Sequence, residues 1–108
     1  MRYLFIETQD PFDRGEAAEV APLAQEIADG TRDVAVYLVQ NAVLGARRAS
    51  SAGAALTGLS ERATVLVDDF SLRERGIHVD ELAPGVTVAG VDSLVELIVD
   101  EGRKTIWQ

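Results

Sequence analysis

At 108 residues the chain has room for one domain of ordinary size and none for a second core. Hydrophobic residues make up 47% and charged residues 26%, the make-up of a globular protein, which argues against disorder and fibrous repeats. A formal charge of -8 repels phosphate backbones and anionic membrane surfaces, and the absence of cysteine removes disulfides, thiolate metal sites, iron–sulfur clusters and any thiol nucleophile.

The stretch Met1-Arg2-Tyr3-Leu4-Phe5-Ile6-Glu7 meets an acid, and then Asp10-Pro11, before any apolar run reaches the length of a signal peptide or membrane span. A cytoplasmic protein is expected. Tyr3-Leu4-Phe5-Ile6 reads as a buried strand ending near Glu7, with a turn at Thr8-Gln9-Asp10-Pro11. From Asp13 to Asp29, Ala17, Val20, Ala21, Ala24, Ile27 and Ala28 recur at helical spacing, with an expected kink at Pro22 and a stop at Gly30.

Val34-Ala35-Val36-Tyr37-Leu38-Val39 is the longest β-prone apolar run, suited to a strand covered on both faces and central or nearly so. Ala42 to Gly58 fits one broken helix or two short ones. Ala63 to Val67 predicts strand three, closed by Asp68-Asp69, and the Ser71/Glu74 spacing predicts a capped helix from Leu72 to Arg75, stopped at Gly76. Val86 to Ala89 is strand four. Ser93 with Glu96 predicts a capping box for a last helix through Leu94, Val95, Leu97, Ile98 and Val99, stopped at Gly102, before strand five at Lys104 to Trp107.

Strands alternating with helices indicate right-handed crossovers and an α/β three-layer sandwich around a five-stranded parallel sheet of flavodoxin-like order 2-1-3-4-5. The core is expected to draw on Leu4, Ile6, Val36, Leu38, Val65, Val67, Val88, Leu97 and Ile98. A ligand site in such a sheet lies outside the carboxyl ends of the strands, which places Glu7, Thr8, Gln40, Asn41, Asp68, Asp69, Ser71 and Arg75 around a polar recognition site, with Arg75 able to turn inward and neutralise an acid.

Asp68-Asp69-Phe70-Ser71-Leu72-Arg73-Glu74-Arg75-Gly76-Ile77, together with Tyr37-Leu38-Val39-Gln40-Asn41-Ala42-Val43-Leu44, resembles the DsrE-like family of small sulfur-relay proteins, and the element order matches along essentially the whole chain. The resemblance implies a cysteine-bearing loop closed by an Arg-Gly pair, here Arg75-Gly76. The family's cysteines fall eight or five residues before that glycine, at positions occupied here by Asp68 and Ser71. The resemblance supports the fold and speaks against persulfide chemistry, because neither a carboxylate nor an unactivated hydroxyl carries sulfane sulfur. It also implies a homo-oligomer, a trimer or hexamer, to which unburied apolar groups at Val43-Leu44, Phe70 and Trp107 would contribute.

The reading that best fits the missing thiol is a non-catalytic assembly or binding component related to intracellular sulfur transfer, meeting a protein partner or a small polar ligand. An alternative is a small enzyme or magnesium-dependent site on Asp68 and Asp69, with Glu7 or Asp10 as a further oxygen ligand. His78 is the only histidine and no Gly-x-Ser-x-Gly elbow occurs, so neither an imidazole metal cluster nor a triad is supported. No nucleotide cofactor is indicated, since neither a Gly-x-Gly-x-x-Gly turn nor a Walker loop is present. Arg47-Arg48, and Arg73 with Arg75, are candidate anion-binding corners.

Overall fold

The computed structural model describes residues 2–10, 33–100 and 102–107; the helix expected over Asp13 to Asp29 lies outside them. Five strands, β1 (Arg2–Glu7), β2 (Asp33–Leu38), β3 (Thr64–Asp68), β4 (Val86–Ala89) and β5 (Arg103–Trp107), form an all-parallel sheet. Between β2 and β3 lie a 3-10 helix, Gln40–Ala46, and α1, Ser51–Leu59, so the Gly-rich stretch makes two short helices. α2 (Asp69–Glu74) and a short 3-10 turn (Val79–Glu81) join β3 to β4, and α3 (Val91–Val99) joins β4 to β5.

The sheet order is β4-β3-β2-β1-β5, which corrects the expected 2-1-3-4-5. The reason is visible in β2 itself. A strand with an unbroken run of buried side chains from Val34 to Leu38 must be covered on both faces and flanked on both edges, whereas the flavodoxin order would have left it at the rim. Residues Val34 to Leu38 are all buried, and β2 occupies the middle of the sheet.

The chain steps from β1 to β4 in one direction and then returns across the sheet to β5. Right-handed crossovers require that a reversal of direction move the connecting helix to the other face. Leu56 and Leu59 of α1 and Leu72 of α2 indeed join Phe5, Val34, Val36, Leu38, Val65 and Val67 in one cluster. Leu94 and Leu97 of α3 pack on the opposite face against Leu4, Ile6, Ala35 and Tyr37.

Of the expected core, Leu4, Ile6, Val36, Leu38, Val65 and Val67 are buried, and Val88 and Leu97 are partly so. Ile98 is instead exposed, because α3 turns Leu94 and Leu97 inward and Ile98 falls outside that arc. Val43 is fully buried and Leu44 packs against the same core, correcting the expectation of free apolar surface there; Phe70 and Trp107 are exposed as expected. Gly90 caps α3 without a side-chain bond, so Ser93 is an interior residue, and the helix stops at Val99 ahead of Gly102. Among the described residues no helix is long and apolar enough to cross a membrane.

Candidate functional site at the carboxyl edge of the sheet

β3 connects to a helix on one face and its neighbour β4 to a helix on the other, so the crevice where connections diverge lies between their carboxyl ends, beside the register pair Asp68 and Ala89. Asp68 ends β3 and caps α2: its Oδ2 accepts the Ser71 backbone N–H at 2.9 Å and the Ser71 hydroxyl at 2.7 Å. This corrects the assignment of Ser71 as the cap and moves the helix start from Leu72 to Asp69. Any short acceptor ahead of the turn has cap chemistry, and the one ending the strand reaches the free N–H groups first.

Asp68 is 8% exposed and its other oxygen, Oδ1, accepts the hydroxyl of Tyr37 at 2.6 Å. Burial alone would push this carboxyl up, yet the donors from Tyr37 and Ser71 outweigh burial and hold it below the ordinary aspartate value. Tyr37 is driven strongly upward by its own burial and by the carboxylate it faces. Ser71, 3% exposed, in turn accepts the Gln40 backbone N–H at 2.9 Å. That bond pins Gln40 in the left-handed region, at φ 56°, where a side chain costs on the order of 1–2 kcal/mol.

Arg75 completes the cluster. Its Nη2 donates to Asn41 Oδ1 at 2.9 Å and its Nη1 to the Ser71 carbonyl at 3.2 Å. The inward turn toward an acid gives way to this amide, and among the described residues it pairs with the Glu74 carboxylate at 3.7 Å. Tyr37 is the member that sequence reasoning missed; a hydroxyl near the end of the long apolar run Val34 to Val39 was the available signal.

Five expected site residues are therefore joined by hydrogen bonds: Gln40, Asn41, Asp68, Ser71 and Arg75. Asp69 turns away and pairs with Arg73 at 3.3 Å, so the two adjacent acids serve different partners. No group of three or more acidic or histidine side chains among the described residues is placed to hold a metal ion. Glu7 ends β1, two strands from Asp68, or about 10 Å by strand spacing.

Glu7 is 3% exposed; its Oε1 accepts the Gln9 N–H at 3.2 Å, whereas Oε2 has no hydrogen-bond partner among the described residues. Burial raises its pKa against the opposing pull of the Gln9 and Thr8 N–H groups. His78 is exposed and caps the short 3-10 turn, its backbone N–H donating to Glu81 Oε2 at 2.7 Å. The candidate basic corners separate: Arg73 lies over the Phe70 ring, while Arg47 and Arg48 line a cavity of about 450 Å³.

The family model described as "DsrH like protein" matches residues 11–104. No curated protein matches the chain. The ychN protein from E. coli is similar in structure with a TM-score of 0.82 at 17% identity, over 100% of both chains. The protein of unknown function MTH1491 from Methanobacterium thermoautotrophicum gives 0.79 at 19%, again over 100% of both chains. At such identities the likeness establishes the shared α/β fold.

Proposed function

This chain belongs to the DsrH-like family, within the DsrE/DsrH-like sulfur-relay proteins, and from that premise we propose that it is a non-catalytic assembly and binding component related to intracellular sulfur transfer. One observation carries the proposal: at the two positions that the family resemblance assigns to cysteine, Asp68 and Ser71 are buried and hydrogen-bonded to each other. Sulfur relay needs a thiolate to attack a sulfane sulfur and then surrender it. A carboxylate held ionised and a hydroxyl engaged as both donor and acceptor do neither.

In this reading the protein works in the cytoplasm as a homo-oligomer, a trimer or hexamer, with Phe70 and Trp107 among its exposed apolar groups. Its carboxyl edge, with Gln40, Asn41 and Arg75 at the rim, receives a polar ligand or a segment of a partner protein. Glu7, Thr8 and Asp69 flank that edge, and the strained backbone of Gln40 favours a recognition role over a purely structural one. Intact mass spectrometry after thiosulfate or polysulfide treatment tests the proposal. An unchanged mass is expected, and a stable sulfur adduct overturns it.

A further inference from the structure

We propose that copies of this chain assemble head to tail, the outer ridge of α3 in one copy seating against the cavity rimmed by Arg47 and Arg48 in the next. The inference rests on the self-assembly proposed above and specifies which surfaces meet.

The ridge follows from helix geometry. With Leu94 and Leu97 turned to the core, a rotation of about 100° per residue places Val91, Val95, Ile98 and Val99 on one outward arc. They are 63%, 50%, 38% and 67% exposed. Four branched apolar side chains sharing one ridge are a contact surface rather than scattered exposure. Asp92 and Glu96, both exposed, border the arc along one side.

The receiving surface is a cavity of about 450 Å³ lined by Arg47, Arg48, Ala49, Ser50 and Glu81. Its two walls are tied together: the Arg48 N–H donates to the Glu81 carbonyl at 2.8 Å, the Ala83 N–H donates to the Ala46 carbonyl at 2.8 Å, and Arg47 bridges Leu82. Arg47 Nε donates to the Leu44 carbonyl, and neither arginine makes an ion pair with another described residue. Val79, 61% exposed, lies two residues before Glu81.

Charge selects the occupant. The ridge brings two carboxylates beside apolar side chains, and the cavity offers two guanidinium groups against the single acid Glu81, beside Ala49 and the exposed Val79. Antiparallel pairing of two ridges would instead set Asp92 and Glu96 against their own copies in a chain already carrying -8. α3 covers the sheet face of Leu4, Ile6 and Tyr37, whereas Ala46 and Leu82, next to the cavity, pack on the opposite face. Surfaces on opposite faces meet heterologously, and such contacts close into rings when the rotation allows.

Sedimentation of the full chain at micromolar concentration tests this with two charge reversals, Asp92→Lys with Glu96→Lys, and Arg47→Glu with Arg48→Glu. Each alone is expected to weaken self-association roughly tenfold or more, with circular dichroism unchanged. Combined in one chain, the four reversals regain the assembled mass, because every contact then pairs reversed charges whatever the number of copies in the ring. Val95→Ser, which introduces no charge, supplies the same reading of the ridge if a reversed chain fails to fold. A wild-type chain sedimenting as a monomer overturns the self-assembly reading itself. An assembled wild type whose single-surface variants stay assembled, or whose combined variant fails to recover the assembled mass, overturns only this pairing of surfaces.

Discussion

Two buried carboxyls at the ends of strands two places apart have opposite fates, and the difference is a count of donors. Asp68 receives three hydrogen bonds and stays ionised; Glu7 has one oxygen bare and is raised by burial. Removing the Tyr37 hydroxyl by Tyr37→Phe leaves a buried carboxylate short of one donor, a loss of about 1–3 kcal/mol by urea unfolding. For Glu7 the sign is reversed. A raised folded pKa means that the native state binds the proton more tightly, so stability falls as pH rises from the ordinary glutamate value, 4.5, through the folded one. Glu7→Gln removes that penalty: the variant is expected to unfold at higher urea than wild type at pH 7, with the advantage shrinking in acid. An equal difference at both pH values would show that ionisation of Glu7 is not the cause. The Ser71/Glu74 spacing made a capped helix legible in the sequence, but the choice of cap was not, because hydroxyl and carboxylate both cap and only the fold decides which one faces the free N–H groups.

At the scale of elements, packing rather than propensity explains α1. A Cβ on Gly53 would overlap the Arg47 carbonyl oxygen, since the loop entering the helix folds back over its first turn, while nothing lies within 4 Å of a Cβ on Gly58. Helix propensity favours alanine at both positions by up to about 1 kcal/mol. Thermal melts are therefore expected to show Gly58→Ala raising the midpoint and Gly53→Ala lowering it; a rise in both would mean that the loop yields freely. Strand positions were readable because β-branched apolar runs between polar turns have few other solutions. Their order was less readable. The run at Val34 to Leu38 pointed to the centre of the sheet, and the flavodoxin pattern adopted from fold analogy contradicted that physical signal. The Ser93/Glu96 spacing misled for a simpler reason: the same spacing occurs inside a helix, and Gly90 had already begun it.

Across the molecule, opposite edges of the sheet are secured by different chemistry. At the amino edge Arg2 Nε meets Asp33 at 2.7 Å and pairs also with Asp100, while Arg103 Nη2 meets Asp33 at 2.9 Å, closing a balanced network across β1, β2 and β5. The Arg2–Asp33 pair follows from the register of β1 beside β2, and Arg103 and Asp100 join it only through the return of β5 to the side of β1, so the network was not legible before the strand order was known. At the carboxyl edge the Tyr37, Asp68, Ser71 and Gln40 network closes the place where sulfur-carrying relatives are expected to present a thiol. The account stands on that closure. Ser71→Cys tests it most directly, with the rate at which a small disulfide reagent labels the new thiol read in the native protein and in urea. Burial at 3% exposure and the adjacent carboxylate both disfavour a reactive thiolate, so labelling is expected to be slow in the native state and fast only on unfolding. Rapid labelling of a native variant that unfolds at the wild-type urea midpoint would contradict the account, because the position would then be open to sulfur chemistry.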